Sequence, residues 1–165
     1  MRRWIAVLLS FLVFTMCAWG AGKPVARFKA VEVKHFQGNE GVDLTTEFYD
    51  FLYGAMKAEL VNTKLFTNVI GDGEAVDAAD ASQSISIEGS ILEYKKGNVV
   101  KERLIGYSAG KRSMRSHIKI VRVGDKQVLL DKDLKVYTSA FWDNKSLASF
   151  LAKNIAKECK KNLKK

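Results

Sequence analysis

Gly106-Tyr107-Ser108-Ala109-Gly110-Lys111 is the segment of this 165-residue chain that comes nearest to a chemical motif. A phosphate-binding loop needs four residues between its glycines, so that successive backbone N–H groups curl around the phosphates. It also needs Ser or Thr after the Lys as a Mg²⁺ ligand. Here three residues separate the glycines and Arg112 follows Lys111, so the segment is expected to be a flexible glycine loop joining two strands. His35 and His117 fall on separate predicted strands, with no HExxH or Cys/His spacing to make a metal motif. Asp72, Glu74, Asp77 and Asp80 share an acidic loop that lacks the alternation and distal Glu of a calcium loop. No serine sits in G-x-S-x-G. Nucleophile, base, metal ligands and cofactor cradle all go unnamed, and the expectation is a non-enzymatic protein.

Charge is more informative than motif. Between Lys95 and Arg122 stand Lys95, Lys96, Lys101, Arg103, Lys111, Arg112, Arg115, Lys119 and Arg122, with Glu102 as the only acid. A second run of lysines fills the stretch from Lys145 to Lys165. One reading is a surface for an anionic partner; the other is a solvated face, with the last lysines complementing a helix dipole. On the first reading Arg103, Tyr107, Lys111 and Arg112 are the contact residues.

The start of the chain limits what that partner is. Arg2 and Arg3 precede an apolar run from Trp4 to Phe14, and Ala18-Trp19-Gly20 places small residues at −3 and −1 of a cut before Ala21. This is the pattern of a signal peptide over residues 1–20. Trp4 to Trp19 is shorter than the roughly 20 apolar residues a spanning helix needs. Two other readings stay open: a lipid anchor at Cys17, which the bulky Met16 before it opposes, and a retained leader. Loss of Arg2 and Arg3 lowers the formal charge from +9 to +7. Cys159 is then the only cysteine, unable to form an internal disulfide, and is expected as a small buried group on a helix face. An exported protein meets lipid phosphates and other envelope proteins, and no nucleic acid.

Residues 21–165 are expected to form one α+β domain, with a mainly antiparallel sheet and two helices packed on one face. Val25 to Phe36 is rich in β-formers, and its apolar face shifts from Phe28 and Ala30 to Val31 and Val33, which predicts a bulge or burial on both faces. Leu44, Phe48, Phe51, Leu52, Ala55, Met56 and Leu60 recur at three- and four-residue spacing, a long helix after the first strand with Asp43 as its cap. Asn62-Thr63-Lys64 turns the chain into a short strand at Phe66 to Ile70. Ser84 to Tyr94 alternates as a half-buried strand. Ser113 to Val123 and Gln127 to Tyr137 form a hairpin about Gly124-Asp125, with Val128, Leu130, Leu134 and Val136 on one face. Asn144 caps a closing helix whose stripe is Leu147, Phe150, Leu151, Ile155 and Cys159.

The stretch Glu88-Gly89-Ser90-Ile91-Leu92-Glu93-Tyr94-Lys95-Lys96-Gly97-Asn98, followed by Arg103-Leu104-Ile105-Gly106-Tyr107-Ser108-Ala109-Gly110-Lys111, resembles the family called domain of unknown function 4410. Leu65-Phe66-Thr67-Asn68-Val69-Ile70 fits the same pattern, although Ser108 stands where that family usually has glycine. The resemblance implies an α+β domain of a bacterial exported protein or lipoprotein, and no functional residue transfers with it. The expected function is a periplasmic or secreted domain that binds an anionic envelope lipid or an envelope protein. The rivals are a secreted hydrolase and a structural subunit of an oligomeric envelope assembly.

Overall fold

The computed structural model describes residues 28–74 and 76–163. The signal peptide, its cleavage before Ala21, Cys17 and the first residues of the predicted Val25 strand lie outside them. In chain order the elements are β1 (Phe28–Val33), β2 (Gln37–Gly38), α1 (Thr46–Thr63), β3 (Phe66–Ile70), a 3₁₀ turn (Ala78–Gln83) and β4 (Ser84–Lys95). Then come α2 (Val99–Ile105), the four-residue α3 (Tyr107–Gly110), β5 (Arg112–Arg122), β6 (Val128–Thr138) and α4 (Asn144–Leu163).

One sheet runs β3-β1-β4-β5-β6, with β2 also beside β4. The long ladders, β4 with β5 and β5 with β6, are antiparallel. The short ones are parallel: β1 with β3, β1 with β4 and β2 with β4. A parallel neighbour cannot be reached by a tight turn, and α1 provides the crossover from β1 to β3. The predicted α+β class holds. The parallel pairing of the first strand is the part the sequence reading lacks.

At Ala30 and Val31, consecutive and both buried, the strand is covered on both faces and its ladders run without a register shift; the chain steps out only after Val33. Lys34 N–H still donates to Ile87 O (3.0 Å), the chain then steps out, and pairing resumes at Gln37 opposite Ser90. β1 and β2 are thus one interrupted strand along β4, and the step tucks Phe36 into the core.

Val33, Ile87, Ile120 and Leu130 form one row across four strands. α1 covers this face through Phe48, Leu52, Met56 and Leu60, and α4 through Leu147, Leu151, Ile155 and Cys159. Full burial of such an aliphatic side chain stabilises by about 1.5–3 kcal/mol. Six predicted core positions lie farther out, and of these Leu44, Ala55 and Leu130 are partly buried against the core. Phe51 is only partly buried, flanking the α1 stripe. Val128 is exposed because a register shift at Ile120/Val121 displaces the start of β6. Phe150 leaves the α4 stripe to stack on Trp142.

Both predicted caps are corrected. α1 begins after Thr45, whose side chain makes no capping bond, and Asp43 lies exposed two residues earlier. At α4 the cap is Asp143, whose carboxylate accepts from Ser146 N–H and Oγ–H (both 2.8 Å). Asn144 instead accepts from Tyr94 Oη (2.9 Å) and Arg112 Nη1 (2.7 Å). The predicted turn at Asn62-Thr63-Lys64 is the end of α1, closed by Lys64 in the left-handed region (φ 55°).

Candidate functional site

Where β4 ends, the chain builds a helical knob. Asn98 Oδ1 accepts from Lys101 N–H (2.9 Å), capping α2, and Asn98 N–H donates to Gly110 O (2.8 Å). Gly106 has φ +109°, a conformation other residues adopt only with strain, and it breaks the chain between α2 and α3. A Cβ on Gly110 would lie 2.3 Å from Glu102 N and Cβ, so only glycine lets α3 close on α2. The stretch from Lys101 to Lys111 is therefore folded helix, and the expected flexible glycine loop is corrected. Its glycines serve a chain reversal and a close approach.

Glu102, the lone acid of the basic stretch, fastens this knob. Its carboxylate accepts from Ser139 Oγ (2.6 Å) and from Ala140 N–H (2.5 Å), in the turn between β6 and α4. At 100° per residue, Val100 and Leu104 then face directly away from Glu102, with Lys101 and Arg103 on the two flanks. Leu104 is 78% exposed, Ile105 74% and Val100 64%. Tyr107 on α3, and Phe141 and Trp142 on the tethered turn, are each about half exposed. Apolar side chains are thus exposed on the outer face of α2 and, separately, on the turn that Glu102 holds behind it.

The sequence-predicted contact residues divide. Arg103 and Tyr107 are exposed on the knob. Lys111 sits with Nζ 4.0 Å over the Tyr137 ring. Arg112 is half-buried and bonded to Asn144 and to Ala140 O (3.5 Å), so it positions the start of α4. The basic stretch divides as well. Arg115 pairs with Glu93 and Arg122 with Asp125, while Lys119 lies in register with Glu88. Lys95, Lys96, Lys101 and Arg103 are exposed and form no ion pair among the described residues. Sequence reasoning missed Val100, Leu104, Ile105, Phe141 and Trp142. The signal for the first two was their four-residue spacing, with Lys101 and Arg103 between them.

Chemistry elsewhere is tied down by structure. Ser90, His117 and Asp133 align across β4, β5 and β6. Both ring nitrogens of His117, however, face carboxylates, Nδ1 to Asp133 (3.0 Å) and Nε2 to Asp131 (3.4 Å), and neither faces Ser90. His35 stacks on Tyr53 and its backbone N–H donates to Asp72 (3.0 Å). Asp77 caps the 3₁₀ turn and Asp80 pairs with Lys29. A cleft of about 360 Å³ between the starts of α1 and α4 holds two carboxylates, Glu47 and Asp143. Glu47 pairs with Lys145 (3.5 Å). The N–H and hydroxyl of Ser146 hold the Asp143 carboxyl below its usual range, which suits a cap and not a proton donor. Burial, then the charge of Glu158, pushes the Cys159 thiol up to about 12. Among the described residues no cluster of three His, Cys, Asp or Glu is placed to hold a metal, and no helix is long and apolar enough to cross a membrane.

No family model matches the chain, and no curated protein does. Solved structures do. A PelC dodecamer from Paraburkholderia phytofirmans is 14% identical with a TM-score of 0.57, over 82% of this chain and 90% of that one. Protein XCC0632 from Xanthomonas campestris, of the domain of unknown function 330 family, is 6% identical with a TM-score of 0.52, over 81% and 86%. Hypothetical protein CT253 from Chlamydia trachomatis is 10% identical with a TM-score of 0.50, over 79% and 92%. At these identities the likeness shows a shared α+β fold.

Proposed function

We propose that the chain is an exported, non-enzymatic domain that binds an anionic component of the cell envelope through its α2–α3 knob. One observation carries this reading: on β5 Arg115 and Arg122 pair with acids and Arg112 is bonded to Asn144, whereas Lys95, Lys96, Lys101 and Arg103 at the knob are left open to a partner. The leader-like residues 1–20 support export, and the resemblance to domain of unknown function 4410 agrees with an envelope setting. Exposed charge contacts are screened over a Debye length of about 8 Å at physiological salt. Sedimentation with isolated envelopes should therefore weaken as salt rises, and a Lys101→Ala/Arg103→Ala double variant should pellet less at low salt. Equal pelleting of variant and wild type under both conditions rejects the reading. N-terminal sequencing of the exported protein should begin at Ala21.

A second reading, a subunit of a homo-oligomer, is supported by the fold likeness to a dodecamer. Light scattering after size-exclusion chromatography tests it directly: a monomer mass at micromolar concentration rejects it.

A further inference from the structure

The cleft between the starts of α1 and α4 has a volume of about 360 Å³, within the roughly 300–1,000 Å³ of small-molecule sites. Its apolar part is Phe48, which is buried, and Tyr94, which is half-buried. Three bases line it: Lys96 just after β4, Arg112 at the start of β5 and Lys145 in the first turn of α4.

The polar groups of this cleft are donors with too few acceptors. Asn144 Oδ1 already accepts from Tyr94 Oη (2.9 Å) and Arg112 Nη1 (2.7 Å), and the amide NH₂ beside it has no partner among the described residues. A guanidinium carries five N–H donors. Arg112 gives one to Asn144 and one to Ala140 O (3.5 Å), while Nε–H is buried without a partner. Lys96 forms no ion pair among the described residues, and the Thr45 side chain makes no capping bond. The two acids are already occupied. Asp143 Oδ1 takes both bonds from Ser146, and Glu47 pairs with Lys145 (3.5 Å). A second cleft, of about 300 Å³ at the far ends of the two helices, differs in kind: its bases are Lys153, Lys157 and Lys160, all exposed.

We infer that the cleft between the starts of α1 and α4 binds a small organic carboxylate. A carboxylate brings acceptors and no donors, and its bonds to guanidinium and ammonium groups are about twice as strong as neutral ones. Three bases against two acids leave +1, which fits a singly charged carboxylate better than a doubly charged phosphate monoester. The body of the ligand lies toward Phe48 and Tyr94. The site shares only Lys96 with the surface proposed to meet the envelope, and it does not rest on that reading.

Amide NMR spectra of the exported protein, titrated with benzoate at physiological salt, test the site. Saturable shifts are expected at Thr45, Glu47, Lys96 and Lys145, and at the side-chain NH₂ of Asn144. Benzamide, of the same shape but uncharged and carrying donors, should give none. Lys96→Gln, at an exposed position where folding is spared, should weaken binding by up to about five-fold, the worth of an exposed charge pair. Arg112→Lys keeps the charge and loses the planar fork, and should weaken it about ten-fold. Arg112 also positions the start of α4, so if Arg112→Lys lowers the melting temperature, Lys96→Gln alone decides. Lys157→Gln, in the other cleft, should bind as wild type does.

Absence of saturable shifts at the cleft residues overturns the inference, as does an equal response to benzamide. An equal loss on Lys157→Gln shows general attraction by a basic protein and overturns it too. Tighter binding of phenyl phosphate than of benzoate overturns the choice of a carboxylate. Pelleting with isolated envelopes is scored separately, and its outcome bears only on the α2–α3 knob.

Discussion

α1 and α2 carry apolar residues at the same helical spacing and turn them in opposite directions. On α1, Leu52, Met56 and Leu60 are about 1% exposed against the sheet; on α2, Leu104 is 78% exposed. The difference lies in which side of each helix is bonded to the rest of the fold. α1 spans five turns and is held by its apolar stripe. α2 spans two turns and is held by a carboxylate on its back, so its apolar side is left facing out. Apolar spacing therefore locates a helix face, and the polar anchor decides whether that face is core or surface.

The sharpest way to break this comparison is at α1. Leu52→Ala should cost about 2–5 kcal/mol, seen as a large drop in the denaturant midpoint, because the sheet cannot close over the lost volume. Next comes the anchor of α2. Glu102→Ala leaves Ala140 N–H without its partner and should cost about 1–3 kcal/mol. Hydrogen exchange should speed up over Val99–Ile105 well before the strands respond; unchanged protection there would mean that α2 is held by something else.

α1 has a polar tether of its own, and it is weaker. Tyr53 Oη accepts from Asp72 N–H (3.0 Å), and the Asp72 carboxylate accepts from His35 N–H. That backbone bond, first among several causes, holds the Asp72 carboxyl below its usual range. A lowered carboxylate stabilises the fold above its unfolded value of about 3.9, and the contribution is lost as pH falls through the folded value. Asp72→Asn should accordingly flatten the acid limb of the stability profile below about pH 4, with less than about 1 kcal/mol at neutral pH. An identical acid limb in variant and wild type removes Asp72 from the account. The smallest effect is expected at the α2 crest. Leu104→Ala should shift stability by no more than about 0.5 kcal/mol, and a melting temperature several degrees lower would show that this face of α2 packs against something.

Much of the fold was legible because long amphipathic elements repeat their signal. Leu52, Met56 and Leu60 on α1, and Leu147, Leu151 and Ile155 on α4, are buried as their spacing predicts. The hairpin of β5 and β6 follows from alternation around Gly124-Asp125. The parallel seat of β1 beside β3 was not legible, since it depends on partners far along the chain. The caps slipped by one or two positions because Asp43 and Thr45, like Asp143 and Asn144, are all residue types that cap. At the candidate site the sequence located the right stretch and misjudged its state. Seven residues are too few to show a helical period, and Gly106 and Gly110 have the same letters in a loop as in a tight helical corner. Glu102 bonds a residue 38 positions away, a contact no local pattern contains. The cross-strand register hid the other half of the answer: Arg115 meets Glu93 only once β4 and β5 are aligned.

The single cysteine of the α4 stripe has a kinetic consequence. Only a thiolate attacks a disulfide reagent, and Cys159 is both fully covered and ionised only near 12. In the closed molecule it is chemically silent at neutral pH. Labelling must wait until α4 lifts from the sheet, so its rate counts those openings one molecule at a time. If α4 detaches as a unit ahead of the strands, the thiol will react faster than global unfolding permits. If the two helices and the sheet let go together, the labelling rate and the unfolding equilibrium will give the same free energy, and one residue will have measured the cooperativity of the domain.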